Sequence, residues 1–288
     1  MDRQTEITTP GALLNEKGDL ARPGFSRALV QEYRRADVKV SPLRIKEWDY
    51  YLVNNGKFAL ALTVADNGYM GLDSVSLLDL EEGWEITKSP MSFLPLGKKH
   101  LPETSVTGDV HSAARGYGIH FIHEGNKRVL IAYMNKFGES ALSARVELTE
   151  CPEDSLVIAT PFDKPGHFYY NQKIVGFRAS GYVNYNGKTY TFEPSDSFAV
   201  LDWGRGVWTY ENTWYWSSAA YVLPSGTPFG WNLGYGFGDT SAASENMLFH
   251  AGTAHKLGGI KFEIPGEAEG KERYTEPWKF TSDDGRFE

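Results

Sequence analysis

The sequence is poor in cysteine, in basic charge and in long apolar runs, and each shortage excludes a class of protein. The single cysteine, Cys151, excludes an intrachain disulfide and a zinc-finger or iron–sulfur ligand set. Lysine and arginine total 29 against 37 aspartate and glutamate, a net charge of −8, so nucleic acid is not an expected partner. No apolar run approaches the ~20 residues that span a bilayer. The opening MDRQTEITTPGALL also lacks the apolar region of a secretory signal, which predicts a cytoplasmic protein with no membrane span.

Glycine and aromatic residues are abundant instead. The 288 residues include 30 glycines, 14 prolines and 14% aromatic side chains, while the 41% of hydrophobic residues is ordinary for a globular chain. Glycine and proline are common in turns, and aromatic residues favour strands. This composition therefore indicates a protein built from sheet.

Short alternating segments separated by turn residues support an all-β fold. Asn55-Gly56 separates KEWDYYLV from KFALALTVA, Asn186-Gly187 lies between the arms of ASGYVNYNGKTYTFEP, and a third hairpin turns at 124–126. No strand–helix–strand rhythm of ~30 residues occurs, which disfavours Rossmann and TIM folds. We therefore predict an antiparallel all-β protein with more than a dozen strands in barrels or sandwiches, preceded by a short helix from Phe25 to Arg35.

A break near CPEDS predicts two β lobes, residues 1–155 and 156–288. The C-terminal WKFTSDDGRFE predicts a strand, an Asp-Gly turn and a return strand of only three residues. Such a short second arm leaves the edge of its partner strand unpaired. We therefore expect the second lobe to be truncated before its last strands.

The segment 201–238 concentrates aromatic and polar side chains. It carries five of the eight tryptophans, which form either a large aromatic core or the wall of a ligand cavity. Asp202 follows the apolar strand FAVL, and glycines flank Arg205. These two residues either belong to a site, where Arg205 contacts a planar anionic group, or form a salt bridge that closes a barrel end.

A second candidate lies in ENMLFHAGTAHK. Alternation places Glu245 on the same face as Met247 and Phe249, where apolar surroundings would raise its pKa and suit a general acid. A polar start to a strand is the plainer interpretation. His250 and His255 flank a turn, but two histidines alone are weak evidence for a metal.

Two further segments could contribute. His111, His120 and His123 lie within thirteen residues, but His120 and His123 differ by an odd number and point to opposite faces of a strand, so we predict no metal site. HFYYNQKI (167–174) mixes Tyr169, Tyr170, Asn171 and Lys173, as either a polar-lined pocket wall or an ordinary amphipathic strand would.

The order of LDWGRGVW, GWNLGYGF, SENMLFHAGTAHKL and EPWKFTSDDGRFE resembles the bacterial family of domain of unknown function 2804. That family is distantly similar to two-lobed lipocalin-like proteins, including hydroxyneurosporene synthase and tocopherol-cyclase-like enzymes. The resemblance implies a lipocalin-like fold and, at that distance, the binding of an apolar small molecule. It transfers no catalytic residue.

Three functions remain open at this point. The first is a lipocalin-like protein that binds, or hydrates, cyclises or isomerises, an apolar molecule; the second is a glycoside hydrolase with an Asp/Glu pair; the third is a non-catalytic binding module. The catalytic candidates are Asp202, Glu245, Arg205 and His255. The substrate-binding candidates are Trp203, Trp208, Trp214, Trp216, Trp231, Asn232, Asn246, Tyr170, Asn171 and His111. We expect no cofactor, and a homodimer is left open.

Overall fold

β-Strands dominate the computed structural model, which describes residues 4–287. The first half contains β1 (Gly11–Ala12), β2 (Gly24–Ser26), β3 (Gln31–Glu32), β4 (Lys46–Asn54), β5 (Phe58–Asp66), β6 (Met70–Asp79), β7 (Trp84–Lys88), β8 (Met91–Phe93), β9 (Val110–Ala114), β10 (Tyr117–Glu124), β11 (Lys127–Phe137) and β12 (Ser140–Thr149). The second half contains β13 (Leu156–Pro161), β14 (Phe168–Tyr185), β15 (Lys188–Phe192), β16 (Phe198–Val207), β17 (Tyr215–Val222), β18 (Pro228–Tyr235), β19 (Met247–His250), β20 (Thr253–Lys256), β21 (Ile260–Glu263) and β22 (Lys279–Ser282). Within this range no helix is long and apolar enough to cross a membrane.

One large antiparallel sheet forms the body of the protein. Its main path runs in the order β7-β6-β5-β4-β16-β14-β12-β11-β10-β9. Within residues 4–287 the two ends of this path do not pair, so the sheet folds over itself as a sandwich rather than closing into a barrel. The enclosed core includes Leu62, Phe121, Leu130 and Trp203. The predicted all-β antiparallel class is confirmed.

The three predicted hairpins form as the sequence indicates. β4 pairs with β5, β10 with β11 and β14 with β15, all antiparallel. The turn residues Asn186 and Gly187 both have positive φ, 49° and 75°, which is the backbone that a tight hairpin of matching twist requires. Local turn chemistry thus sets the register of these pairs.

The predicted helix from Phe25 to Arg35 is wrong. Phe25 lies in β2 opposite Ile158 of β13, and residues 31–32 form the short strand β3. Two 3-10 turns follow, at Arg35–Asp37 and Pro42–Arg44. Of the apolar side chains that resembled a helical stripe, Tyr33 is buried and Leu29 and Val30 are only partly buried, because pairing with a distant strand outweighs a weak local periodicity.

A smaller sheet, β17-β18-β19-β20, packs against the central strands of the large one. The strand β16 is buried along its whole length and pairs with β4 on one side and β14 on the other. Its alternate residues therefore face the main core and the smaller sheet. Strands from both sides of residue 155 share the large sheet, and the division into two functional lobes there stays a prediction.

Candidate functional site

A cavity of about 360 Å³ lies between β14, β16, β4, β5 and β6 of the large sheet and the smaller sheet. Most of its lining is aromatic or aliphatic, and its charged groups are confined to a lysine and two carboxylates. The lining side chains are Trp48, Tyr50, Thr63, Ala65, Asn67, Leu72, Tyr169, Lys173, Asp202, Trp208, Trp214, Trp216, Phe237 and Glu245. Four of these, Asp202, Trp208, Trp214 and Trp216, come from the aromatic segment identified in the sequence.

Strand register brings together the polar residues on the large-sheet side of the cavity, which we call its floor. Lys173 lies opposite Asp202, Asp202 opposite Tyr50, and Tyr50 opposite Thr63. Directly paired residues of neighbouring strands point to the same face of a sheet. The four side chains therefore form a row across β14, β16, β4 and β5, although they are distant in sequence.

The next row of the floor depends on a glycine. Gly204 lies opposite Trp48, and a Cβ atom on Gly204 would lie 2.3 Å from Cζ2 of the indole. Only glycine allows the indole to lie flat across β16 at this point. In that position the indole Nε1 donates a hydrogen bond to Oδ1 of Asp202 at 3.2 Å.

Packed rings form the apolar part of the cavity. Trp48 stacks on Tyr169 with ring centroids 5.8 Å apart and meets Trp208 edge to face at 5.3 Å. Phe237 contacts both Trp208, at 5.3 Å, and Trp214, at 5.0 Å. Trp214 is half exposed. Such a surface suits a flat or elongated apolar ligand.

The Asp202 carboxylate is held by three donors. Lys173 Nζ lies 2.6 Å from Oδ2, while the Asn171 amide donates to Oδ1 at 2.7 Å and Trp48 Nε1 donates to the same oxygen. Lys173 is 2% exposed and Asp202 is 9% exposed. A buried carboxylate with this many donors is held in a fixed orientation.

Glu245 approaches the same lysine from the smaller sheet. Its Oε2 lies 3.7 Å from Lys173 Nζ, and its backbone carbonyl accepts a hydrogen bond from the amide of Asn232 at 2.7 Å. Burial raises the pKa of Glu245, Lys173 opposes that rise, and the Asp202 charge adds to it. One lysine faces two carboxylates, so the second carboxylate gains from keeping its proton.

Tyr50 and Trp216 complete the polar end of the cavity. Burial, with a further contribution from Asp202, raises the pKa of Tyr50 to about 12, so its phenol remains a hydrogen-bond donor at neutral pH. The Trp216 ring lies 4.8 Å from Lys173 Nζ and donates from Nε1 to Asn232 at 2.8 Å. A lysine ammonium therefore has an aromatic face on one side and carboxylates on the other.

Arg205 does not pair with Asp202. The two residues are three apart on β16 and point to opposite faces, and Arg205 is fully buried against Asp49, with an Nη2 to Oδ1 distance of 2.9 Å. Its guanidinium also donates to the carbonyls of Trp48, at 2.8 Å, and Pro102, at 2.7 Å. Arg205 therefore does form a salt bridge, but its partner is Asp49 and not Asp202.

Several other candidates lie outside the cavity. Trp203 and Tyr170 face the main core, where the Tyr170 hydroxyl donates to Gln31 O at 2.7 Å. Trp231 packs on the far side of the smaller sheet, with Tyr221 and Phe287. His255 is exposed on β20.

Three asparagine candidates hydrogen-bond to neighbouring residues and do not line the cavity. Asn232 and Asn171 hold Glu245 and Asp202, as described above. Asn246 accepts from the backbone of Gly234 at 2.7 Å and borders a separate polar cavity of about 710 Å³.

The three clustered histidines do not converge on one point. His111 and His120 face each other across β9 and β10, with 3.0 Å between their Nδ1 atoms. The His123 ring contacts the carbonyl of Ser105 instead, through Nε2 at 3.2 Å. In the part of the chain that the structure describes, no group of three metal-ligating side chains is found.

Tyr50, Trp48 and Phe237 were not singled out from the sequence as site residues, and Lys173 was named only as part of the possible pocket wall HFYYNQKI. Tyr169, Asn171 and Lys173 are two residues apart along one strand, so alternation in HFYYNQKI predicts that they share a face. Lys173 meets Asp202 because β14 pairs with β16, a relation between segments about thirty residues apart. That pairing is not encoded in either segment alone.

Comparison with solved structures shows a shared fold. A protein described as AttH from Nitrosomonas europaea superposes with a TM-score of 0.51 at 14% identity, covering 81% of this chain and 75% of that one. Kievitone hydratase from Nectria haematococca superposes with a TM-score of 0.47 at 11% identity, covering 94% of this chain and 82% of that one. CghA with Sch210972 superposes with a TM-score of 0.37 at 10% identity, covering 88% of this chain and 75% of that one. Only the first of these exceeds a TM-score of 0.5, and at 14% identity it supports the fold alone.

Sequence comparison assigns the family. No curated protein matches the chain. The family described as "Domain of unknown function (DUF2804)" matches residues 4–288, which is nearly the whole sequence and agrees with the resemblance found in its motifs. The chain therefore belongs to the DUF2804 family.

Proposed function

We propose that this protein binds an apolar small molecule in the aromatic cavity and catalyses an acid–base reaction on it, such as hydration, cyclisation or isomerisation of a carbon–carbon double bond. The observation that carries the proposal is the Lys173–Asp202–Glu245 cluster at one end of a cavity otherwise lined by rings.

Glu245 is the proposed general acid. Its raised pKa keeps the carboxyl protonated at a higher pH than an ordinary glutamate, so it can donate a proton to a bound alkene. The faces of Trp216 and Trp48 would stabilise the positive charge that develops on carbon. For hydration, water adds to this carbon and gives its proton to the Asp202 carboxylate. Lys173 then donates a proton to the Glu245 carboxylate and takes one from Asp202, which restores both groups for the next turnover.

A glycoside hydrolase is less well supported. In such an enzyme the sugar linkage lies between two carboxyl groups, each free to face it. Here the ammonium of Lys173 occupies the space between Asp202 and Glu245, and Arg205 and His255, which could have oriented a sugar, lie elsewhere. A non-catalytic binding protein is the remaining alternative, and the experiment below separates it from an enzyme.

The test is native mass spectrometry followed by turnover analysis. The protein is incubated with an organic extract of the cells that express it, bound molecules are identified, and each is reincubated with wild type and with Glu245→Gln. We expect a retained apolar molecule in both proteins and its conversion, by gain of water or by isomerisation, in wild type only. Retention without conversion in wild type supports a binding protein, and no retained apolar molecule contradicts the proposal.

A further inference from the structure

An apolar surface continues from the cavity to the edge of the large sheet. The row that contains Gly204 and Trp48 runs on through Ala65 and Leu72, which line the cavity, and then to Met91 on the edge strand β8. Directly paired residues share a face, so Met91 lies on the cavity side of the sheet. Its side chain is 67% exposed.

Three further apolar residues follow Met91 closely in the chain. Phe93 is 92% exposed, and Leu94 and Leu96 in the following loop are also exposed. We call Met91, Phe93, Leu94 and Leu96 the apolar rim. Isolated exposed apolar residues are ordinary, but four in six positions beside a cavity form a contiguous patch of the kind that marks an interaction surface.

The loop of the apolar rim is held in place despite an unfavourable backbone. Leu94 and Leu96 have φ values of 50° and 51°, in the left-handed region that large side chains avoid. Their N–H groups donate to the carbonyls of Tyr69, at 3.0 Å, and Gly68, at 3.2 Å, in the β5–β6 turn. The same turn carries Asn67, which lines the cavity. The rim is thus anchored directly to the wall of the cavity.

A basic groove lies at the same sheet edge but on its other face: Lys88 pairs with Val75, whose side chain is buried in the main core, whereas Met91 pairs with Leu72 on the cavity side. This groove of about 650 Å³ is lined by Lys88, Arg115 and Lys136, all exposed, and by Pro90, the residue before Met91. Among the described residues no carboxylate lines this groove. The concentration of basic side chains stands out in a chain whose net charge is −8.

We propose that the sheet edge at which the apolar rim and this basic groove meet docks the protein on an anionic phospholipid bilayer. Exposed Phe, Leu and Met side chains would insert at the headgroup boundary, and the three basic side chains would contact lipid phosphates. Docking rests on these surface features, while its use, delivery of a membrane-dissolved ligand to the cavity, rests on the proposed function.

The test is co-sedimentation with vesicles of pure phosphatidylcholine and of phosphatidylcholine with phosphatidylglycerol. We expect wild type to sediment with the anionic vesicles and to be released by high salt. Phe93→Ser should weaken the partition coefficient about tenfold, and Lys136→Ala about fivefold. The control is Leu80→Ser, which removes a leucine that is 51% exposed, in the β6–β7 turn and outside the rim, and it should bind like wild type.

Other outcomes overturn the docking proposal. It fails if wild type does not sediment with anionic vesicles, or if Phe93→Ser and Leu80→Ser behave alike. It also fails if the rim instead supports a concentration-dependent dimer in sedimentation velocity that Phe93→Ser abolishes. Binding of the neutral dye N-phenyl-1-naphthylamine in free solution reports the cavity separately, so a failure of docking is distinguishable from a failure of the proposed function.

Discussion

Asp202 makes its ion pair with Lys173, directly opposite it on the neighbouring strand, and not with Arg205, three residues along its own strand. This relationship decides the character of the site. Arg205 and Asp49 are a structural pair in the main core, whereas Lys173 and Asp202 face a cavity together with Glu245. Two buried carboxylates share one cation, and the predictions below follow from that arrangement.

Removing the ammonium group of Lys173 should destabilise the fold. Lys173→Met leaves Asp202 and Glu245 buried without their common partner, and we expect a loss of about 3–5 kcal/mol in the free energy of unfolding at neutral pH. Urea denaturation measures it. The double variant Lys173→Met/Asp202→Asn should recover part of the loss because the stranded charge of Asp202 is gone. Wild-type stability in Lys173→Met would mean that the pair contributes little to the fold.

Stability should depend on pH through Glu245. Its folded-state pKa is raised above the ordinary glutamate value of 4.5, mainly by burial, so the folded protein binds more protons than the unfolded chain above that pH. The contribution of this group to stability is present at low pH and is lost as pH rises from 4.5 through the folded pKa. In Glu245→Gln this part of the pH dependence should disappear. The difference between the two denaturation curves across pH isolates the group, and identical slopes would contradict its raised pKa.

The packing of Trp48 should depend on glycine at position 204. Gly204→Ala places a methyl group against the indole ring and forces it to tilt, with an expected loss of about 1–3 kcal/mol of stability. The hydrogen bond from Trp48 to Asp202 should break with it. Adding Trp48→Leu removes the clash, so the double variant should be less destabilised than the two single losses together imply. Strict additivity in urea denaturation would show that the two side chains are not coupled.

Arg205 should matter for stability and not for the cavity. Arg205→Met strands Asp49 and leaves the carbonyls of Trp48 and Pro102 without their donor, for an expected loss of about 3–5 kcal/mol. Affinity of the folded protein for N-phenyl-1-naphthylamine should stay within about a factor of two of wild type, because the side chain lies on the other face of β16. A stable Arg205→Met protein that no longer binds the dye would place Arg205 in the site after all.

Local patterns in the sequence predicted the parts of the fold that local chemistry determines. Asn186-Gly187 and the other turn dipeptides specified hairpins because few residues adopt positive φ. Alternation predicted that Glu245 would share the buried face of Met247 and Phe249, and all three are buried. The same rule of alternation separates Asp202 from Arg205, and applying it there would have removed the salt-bridge interpretation.

Contacts between segments that are distant in the chain could not be predicted from the sequence. The helix expected from Phe25 to Arg35 failed because Phe25 pairs with a strand more than a hundred residues away. Of the five clustered tryptophans, three line the cavity while Trp203 and Trp231 do not, since which face of each strand meets the cavity depends on how the two sheets pack. Lys173 became part of the site only through the register of β14 and β16.

The central claim, that the aromatic cavity binds an apolar molecule, is tested most directly by fluorescence titration of N-phenyl-1-naphthylamine into wild type, Trp216→Ala and Trp84→Ala. Trp216 lines the cavity, whereas Trp84 lies on β7 near Tyr185 and serves as the matched control. We predict saturable binding by wild type and Trp84→Ala, and binding about tenfold or more weaker in Trp216→Ala. Absence of saturable binding by wild type, or equal affinity in both variants, would contradict the account.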